Sequence, residues 1–225
     1  MRFNLTKILS FNAGYVDTAS FLALHGLFAA HVTGNFVTLG AALVNDSPTG
    51  AFAKLFALPM FCLMVLLTRL VDLRFVQAHK SSYEFLLISK IILFSLAAVL
   101  SVFYLPFPQT DTWSSFIVGM LLVSAMAIQN AMHRLQWVKE SPTTVMTGST
   151  TQLMLDVADL LRKPDAEKKA QITARIQNIL PTMFCFALGC AIAALVYHFA
   201  LLWIFIIPPV LTVLAYLKKE DYKKA

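Results

Sequence analysis

Six apolar runs of 19 to 22 residues, at 6–24, 51–71, 84–104, 114–134, 176–197 and 199–217, leave this chain few environments in which to fold. An α-helix needs about 20 mostly apolar residues to cross a hydrocarbon core of about 30 Å. Only a helix or a closed barrel satisfies its own backbone there. Composition agrees: 58% of the 225 residues are hydrophobic and 13% charged, against about 45–50% and about 25% in soluble domains. Mean hydropathy is +0.71. A disordered chain, a disulfide scaffold and a cytosolic enzyme all fit this poorly, and a single membrane domain over 1–225 is expected.

The net charge of +6 does not suggest nucleic acid. Basic residues sit between apolar runs or at the chain ends, with no basic stripe and no aromatic platform, which is the footprint of membrane orientation. No nucleic-acid partner is expected; the lipid bilayer is. Cys62, Cys185 and Cys190 lie inside apolar runs and show no disulfide or zinc spacing. The first run is interrupted by Gly14 and Asp17 and reads as a retained helix rather than a cleaved signal.

Two further apolar stretches, 34–45 and 148–161, are too short to cross as helices, and each follows an extended-looking run, 28–33 and 143–147. Charge decides their course. If both are re-entrant and the N-terminus is inside, then Arg2, Lys7, Arg69, Arg74, Lys80, Arg134, Lys139, Arg162, Lys163, Lys168, Lys169, Arg175, Lys218, Lys219, Lys223 and Lys224 are all cytoplasmic. Lys90 then sits near the inner end of its helix, and Lys54 lies near the outer face, where its stem can snorkel. If both cross, Arg69, Arg74, Lys80, Arg134 and Lys139 move outside, against the positive-inside rule. The expected fold is an all-α integral membrane protein with six transmembrane helices, two re-entrant strand/half-helix segments and cytoplasmic termini.

The two short segments share a motif. His31-Val32-Thr33-Gly34-Asn35 answers Val145-Met146-Thr147-Gly148-Ser149, and Leu58-Pro59-Met60-Phe61-Cys62 answers Leu180-Pro181-Thr182-Met183-Phe184-Cys185. Asp17 lies 16 residues before Thr33, and Asn130 lies 17 before Thr147. Two repeats, about 6–104 and 114–217, each read crossing, half-helix, crossing, crossing. Three crossings is odd, so the second repeat is expected upside down, with the half-helix N-termini meeting near the midplane.

A helix start exposes up to four unpaired N–H groups and about half a positive charge. In hydrocarbon such donors need protein, water or a ligand. Gly34 and Gly148 allow close approach to the backbone, and Thr33 and Thr147 stand where an N-cap hydroxyl is wanted. Backbone N–H groups at Gly34, Asn35, Gly148 and Ser149 are therefore the expected seat of an anionic or carbonyl-bearing group. The bland alternative is that each Thr-Gly breaks the chain into helix and caps itself. Asp17 falls near mid-membrane, where a carboxylate is a functional hypothesis by default: proton carrier, cation ligand, or fixed partner of a helix start. Its counterpart Asn130, beside Gln129, cannot titrate. His31 is a candidate lining residue. No metal, cofactor or nucleophile motif is found, so no catalytic residue is expected. Asp159 reads as a salt-bridging surface residue and Asp156 as ambiguous. Pro59, Pro181, Pro208 and Pro209 are expected to kink their helices.

The stretches Ala13-Gly14-Tyr15-Val16-Asp17, His31-Val32-Thr33-Gly34-Asn35 with Leu39-Gly40, Gln129-Asn130-Ala131, and Thr143-Thr144-Val145-Met146-Thr147-Gly148 resemble the YoaK-type family of bacterial inner-membrane proteins, over nearly the whole chain. The resemblance implies a compact multi-pass protein of the bacterial inner membrane and brings no settled activity. Ser149 stands where the first-half motif has Asn. The layout also looks like that of the sulfate-permease and nucleobase-transporter families, in which two helix starts face a central site, a likeness at fold level only.

The leading functional expectation is a secondary transporter of a small anionic or polar solute, coupled through Asp17. A channel between the half-helices, an intramembrane enzyme using Asp17 and His31, and a non-transporting subunit are the alternatives. Small-residue faces permit a homodimer without demanding one. The polar stretch 162–178 is expected to be a loop carrying at most a surface helix.

Overall fold

Helices form where the apolar runs lie, and depart from them where backbone chemistry intervenes. The computed structural model describes residues 5–44, 50–108, 110–137 and 140–218. In chain order the elements are α1 (Leu5–Ala23), α2 (Gly34–Ala42), α3 (Ala51–Gln77), α4 (Tyr83–Tyr104), α5 (Trp113–Gln136), α6 (Met146–Leu161), α7 (Ala166–Phe199), a 3-10 turn at Leu201–Trp203, and α8 (Ile207–Leu217). Among the described residues α3, α4, α5 and α7 are long and apolar enough to cross a membrane. Arg2, Lys139, Lys219, Lys223, Lys224 and the expected end of the first half-helix at Asn45 lie outside the described residues.

Three expectations need correction. The sixth run is not one 19-residue helix: its α-helical part is the 11-residue α8, which has prolines in its first turn. Pro208 and Pro209 have no N–H to bond to Ile204 and Phe205, so a helix coming from 199 cannot pass through them, but one can start there. They begin a helix instead of kinking one. The stretch 162–178 is a loop only over 162–165, because from Ala166 α7 runs unbroken for 34 residues. Asp165 caps it by accepting the Lys168 N–H at 2.7 Å, and neither Gly nor Pro intervenes before Pro181. Finally, no strand occurs among the described residues, and α6 starts at Met146, so Thr147 lies inside the helix rather than capping it.

α1 packs along α7 and α3 along α5; α4 lies against α5 and α8, α1 against α8, α2 on α3 and α6 on α7. α1 and α5 are mostly buried, whereas α3, α4 and α7 turn Leu, Ile, Phe and Val outward. Two polar side chains of α1, Ser10 and Asn12, are buried and bonded across helices. Ser10 Oγ donates to the Thr182 carbonyl at 2.8 Å, and Asn12 Nδ2 donates to Thr212 Oγ1 at 3.0 Å. The α1–α7 crossing is the tightest contact. A Cβ on Gly14 would lie 2.1 Å from the Phe186 carbonyl oxygen, and one on Gly189 would lie 2.1 Å from that of Phe11.

Candidate functional site

Between α1 and α2 the chain is neither helix nor strand, so its backbone N–H groups need partners from elsewhere. Asp17 supplies them: its Oδ1 accepts the Ala30 N–H at 2.8 Å and the His31 N–H at 3.1 Å. Asn35, 1% exposed, clamps the same segment from the other side. Its Oδ1 accepts the Phe28 N–H and its Nδ2 donates to the Phe28 carbonyl, both at 2.8 Å.

The second half uses amides where the first uses a carboxylate. Asn130 Oδ1 accepts from Thr144 Oγ1 at 2.6 Å, fourteen residues on, the same separation as Asp17 to His31. Gln129 Nε2 donates to Thr143 Oγ1 at 2.9 Å and to the Leu9 carbonyl at 3.1 Å. The motif residues thus hold the two lead-in segments.

These segments face each other. Ala30 to Thr33 and Thr144 to Thr147 line one half-open cavity of about 280 Å³, walled by Leu58 and Phe61 and floored by Asn130. An adjoining cavity of about 420 Å³ shares Phe61, Asn130 and Val145 and extends to Arg69 and Arg134. His31, Thr33, Asn130 and Thr147 therefore come together. Gly148 and Ser149 do not join them; they line a separate cavity of about 450 Å³ with Gln152, Arg175 and Asn178. Asp17 and Gln129 stand behind the lining. A smaller space of about 190 Å³ among Phe52, Trp113 and Phe116, with Asp111, holds none of the expected site residues.

The backbone donors differ from expectation. The N–H groups of Gly34, Asn35 and Phe36 already bond to the carbonyls of His31, Val32 and Thr33 at 2.8, 3.1 and 3.2 Å, and the Thr33 side chain makes no cap. A tight first turn has consumed them, as 3-10 geometry does at many helix starts. At α6 the Ser149 N–H bonds to the Val145 carbonyl at 3.4 Å, while the N–H groups of Thr147 and Gly148 meet no acceptor among the described residues. At Gly148 a Cβ would meet only Val145 Cγ1 at 3.7 Å, an ordinary contact, but Gly34 has the rings of Phe28 and His31 at 3.0 and 3.3 Å from a Cβ position.

Asp156 and Asp159 fasten α6 to α7. Asp156, 1% exposed, accepts from Arg175 Nε at 2.7 Å and from Arg175 Nη2 at 2.5 Å, and Asp159 pairs with Lys168 at 3.3 Å. Hydrogen bonding from Arg175, helped by Gln152, holds the Asp156 carboxyl below the usual carboxylate range. A depressed folded-state pKa gives stability that is present above the unfolded value and lost as pH falls through the folded one. Exchange protection of α6 is therefore expected to drop on acidification below about pH 4, the unpaired carboxylate value. In Asp156→Asn that acid step should be absent. The step is modest, because the Arg175 side chain is 48% exposed and screened by solvent. An unchanged acid profile in Asp156→Asn would remove the pair as its cause.

Lys90 carries more than its place near a helix end implied. It is fully buried, donates to Gln129 Oε1, and stands 5.2 Å from the centroid of the Phe94 ring. The available signal is a lysine inside an apolar run whose nearest acidic residue in sequence is Glu84, six positions before it. Thr143 and Thr144 stand in the extended-looking run and in the motif that carries the family resemblance, and neither gives a sign of their bonds to Gln129 and Asn130.

Comparison with known proteins follows the same lines. A family model described as "Protein of unknown function (DUF1275)" matches residues 5–217. The chain is 27% identical over 208 residues to the UPF0700 transmembrane protein YoaK of Bacillus subtilis (strain 168), an alignment covering 90% of this chain and 88% of the relative. No solved structure matches.

Proposed function

The chain is a multi-pass membrane protein that belongs to the DUF1275 family, and from that premise we propose that it is a secondary transporter of a small anionic or polar solute. The cavity between Ala30–Thr33 and Thr144–Thr147 carries the proposal. Irregular backbone at membrane depth is tolerated where it is buried in protein or lines a water-filled space. At about 280 Å³ the cavity stands near the lower end of ligand sites, roughly 300–1,000 Å³, which suits a solute of few heavy atoms. Polar contacts come from the hydroxyls of Thr33 and Thr147, the His31 ring, the Asn130 amide and the N–H group of Thr147.

Two inverted repeats are part of this reading, and the packing supports them. Exchanging α1–α4 with α5–α8 turns α1·α7 into α5·α3, α1·α8 into α5·α4 and α2·α3 into α6·α7. Re-entrant half-helices, cytoplasmic termini and an inner-membrane location rest on the distribution of Lys and Arg. Asp17 is proposed to couple ions or protons, no catalysis is proposed, and a homodimer is compatible. A non-transporting membrane subunit is the second reading, favoured by the self-satisfied N-terminus of α2.

The test is thermal stability of purified protein in detergent against inorganic anions, carboxylates, nucleobases, amino acids and sugars, at two pH values with and without sodium. A solute at 100 times its Kd stabilises by about 2.7 kcal/mol. The expected result is a hit that vanishes when Thr33→Val and Thr147→Val are combined. Silence across the panel in folded protein, or a hit indifferent to both substitutions, overturns the reading in favour of the second.

A further inference from the structure

Arg69 and Arg134 are among the basic residues on which the proposed orientation rests, a role that any two exposed cations could fill. The fold does more with them, because both line the half-open cavity of about 420 Å³ where α3 meets α5. On α3 the lining runs as a stripe at intervals of four, Phe61, Val65 and Arg69; on α5 it includes Asn130 and Arg134, again four apart. Phe61 and Asn130 also line the cavity between the two lead-in segments, so this space continues from that one. At about 1.5 Å per residue, Arg69 lies about 12 Å beyond Phe61 and Arg134 about 6 Å beyond Asn130, each toward the end of its helix. Apart from Asn130 and the two arginines, the lining is apolar.

The two guanidinium groups are not equivalent. Arg69 pairs with Asp72 at 2.8 Å, and Asp72, 6% exposed, also accepts from Ser82 Oγ at 2.6 Å. The Arg134 guanidinium has neither ion pair nor hydrogen bond among the described residues. Two arginines and the one carboxylate paired with them leave a net charge of +1 at this end of the cavity. A guanidinium fork matches the two oxygens of a carboxylate, and the apolar stripe beside it offers burial to hydrocarbon. We propose that this cavity is a binding site for a short-chain organic monoanion, its carboxylate on Arg134 with Arg69 beside it and its chain along Val65 and Phe61. The inference rests on the transport reading, whose solute it narrows to such an anion, while binding itself is measured apart from transport.

Thermal stability of the full chain in uncharged detergent tests it, with hexanoate, hexanamide and acetate as probes at constant ionic strength. Hexanoate is expected to raise Tm and hexanamide to leave it unchanged. Acetate should act only at concentrations about tenfold higher or more, since it lacks four CH₂ groups to bury. Arg134→Gln, at an exposed position, should melt as wild type does without probe and need about tenfold more hexanoate for the same rise. Should that variant fail to fold, Val65→Trp, which fills the apolar stripe, takes its place and should abolish the rise. Equal response to hexanoate and hexanamide, or an unchanged hexanoate response in Arg134→Gln, overturns the inference. So does stabilisation by phosphatidylglycerol, lost in Arg134→Gln, in protein that hexanoate leaves unmoved, which makes the occupant a lipid headgroup. The combined Thr33→Val and Thr147→Val variant keeps both arginines and separates the two proposals. A hexanoate response that survives there overturns the transport reading and leaves this site standing; one lost there but kept in Arg134→Gln does the reverse.

Discussion

Gly189→Ala is expected to force α1 and α7 apart. The added methyl would lie 2.1 Å from the Phe11 carbonyl oxygen and 2.9 Å from the Tyr15 nitrogen, and both are helix backbone, which cannot swing aside as a side chain tip can. Overpacking a core costs about 1–3 kcal/mol and occasionally more. A backbone clash belongs at the top of that range, a fall in Tm of roughly 6–12 °C for a chain of this size. Gly14→Ala meets the Phe186 carbonyl on the same crossing and should cost as much. Together the two should cost less than their sum, since the first separation makes room for the second methyl. Gly148→Ala is the control: the nearest atom to its Cβ is Val145 Cγ1 at 3.7 Å, and alanine is the better helix former by about 1 kcal/mol. Thermal melts of the four variants check this; equal loss in Gly148→Ala and Gly189→Ala would refute the close-crossing explanation.

The second large effect concerns Asp17. Asp17→Ala strips two backbone N–H groups, those of Ala30 and His31, of their acceptor. The buried Ala30 donor left unsatisfied costs about 1–3 kcal/mol, and the His31 donor, on an exposed residue that water can reach, costs less, so destabilisation of roughly 2–4 kcal/mol is expected. Asp17→Asn keeps an oxygen in place and should fold with a Tm close to wild type, its segment 27–33 as protected from exchange as before. If both variants are equally unstable, the negative charge rather than the acceptor holds the loop. The distinction bears on transport as well: Asp17→Asn retains the cavity and removes the proton site, so solute stabilisation should persist while its dependence on pH disappears.

Much of this arrangement is written in the sequence at the level of residue types. Asp17 and Asn130 stand out because polar groups inside apolar runs must have a reason, and the matched Thr-Gly motifs locate the two lead-in segments that share a cavity. Hydropathy misleads where helix and membrane do not end together. The charged stretch 166–175 looks like a loop by composition, yet nothing in it opposes helix, and Pro164-Asp165 is an ordinary N-terminal signal. Conversely, 199–217 is apolar throughout but contains Pro208-Pro209, and the missing amide hydrogens outweigh the hydropathy. The state of the α2 donors was not legible, because whether a first turn tightens onto its own carbonyls depends on how Asp17 and Asn35 pin the preceding loop. Lys90 escaped for a similar reason: its significance lies in what α5 brings against it from 39 residues away.

The unbroken length of α7 has a mechanical consequence. At about 1.5 Å per residue its 34 residues make a rod of about 51 Å. One point of the rod bears on α1 through Gly189, and another, fourteen residues nearer its start, is gripped by Asp156 of α6 through Arg175. Were the glycine contact to act as a fulcrum, the arm from it to Arg175, which carries Pro181, would be about 21 Å long, and a tilt of about 5° would sweep α6 by roughly 2 Å. A displacement of that size would be comparable to a hydrogen-bond length.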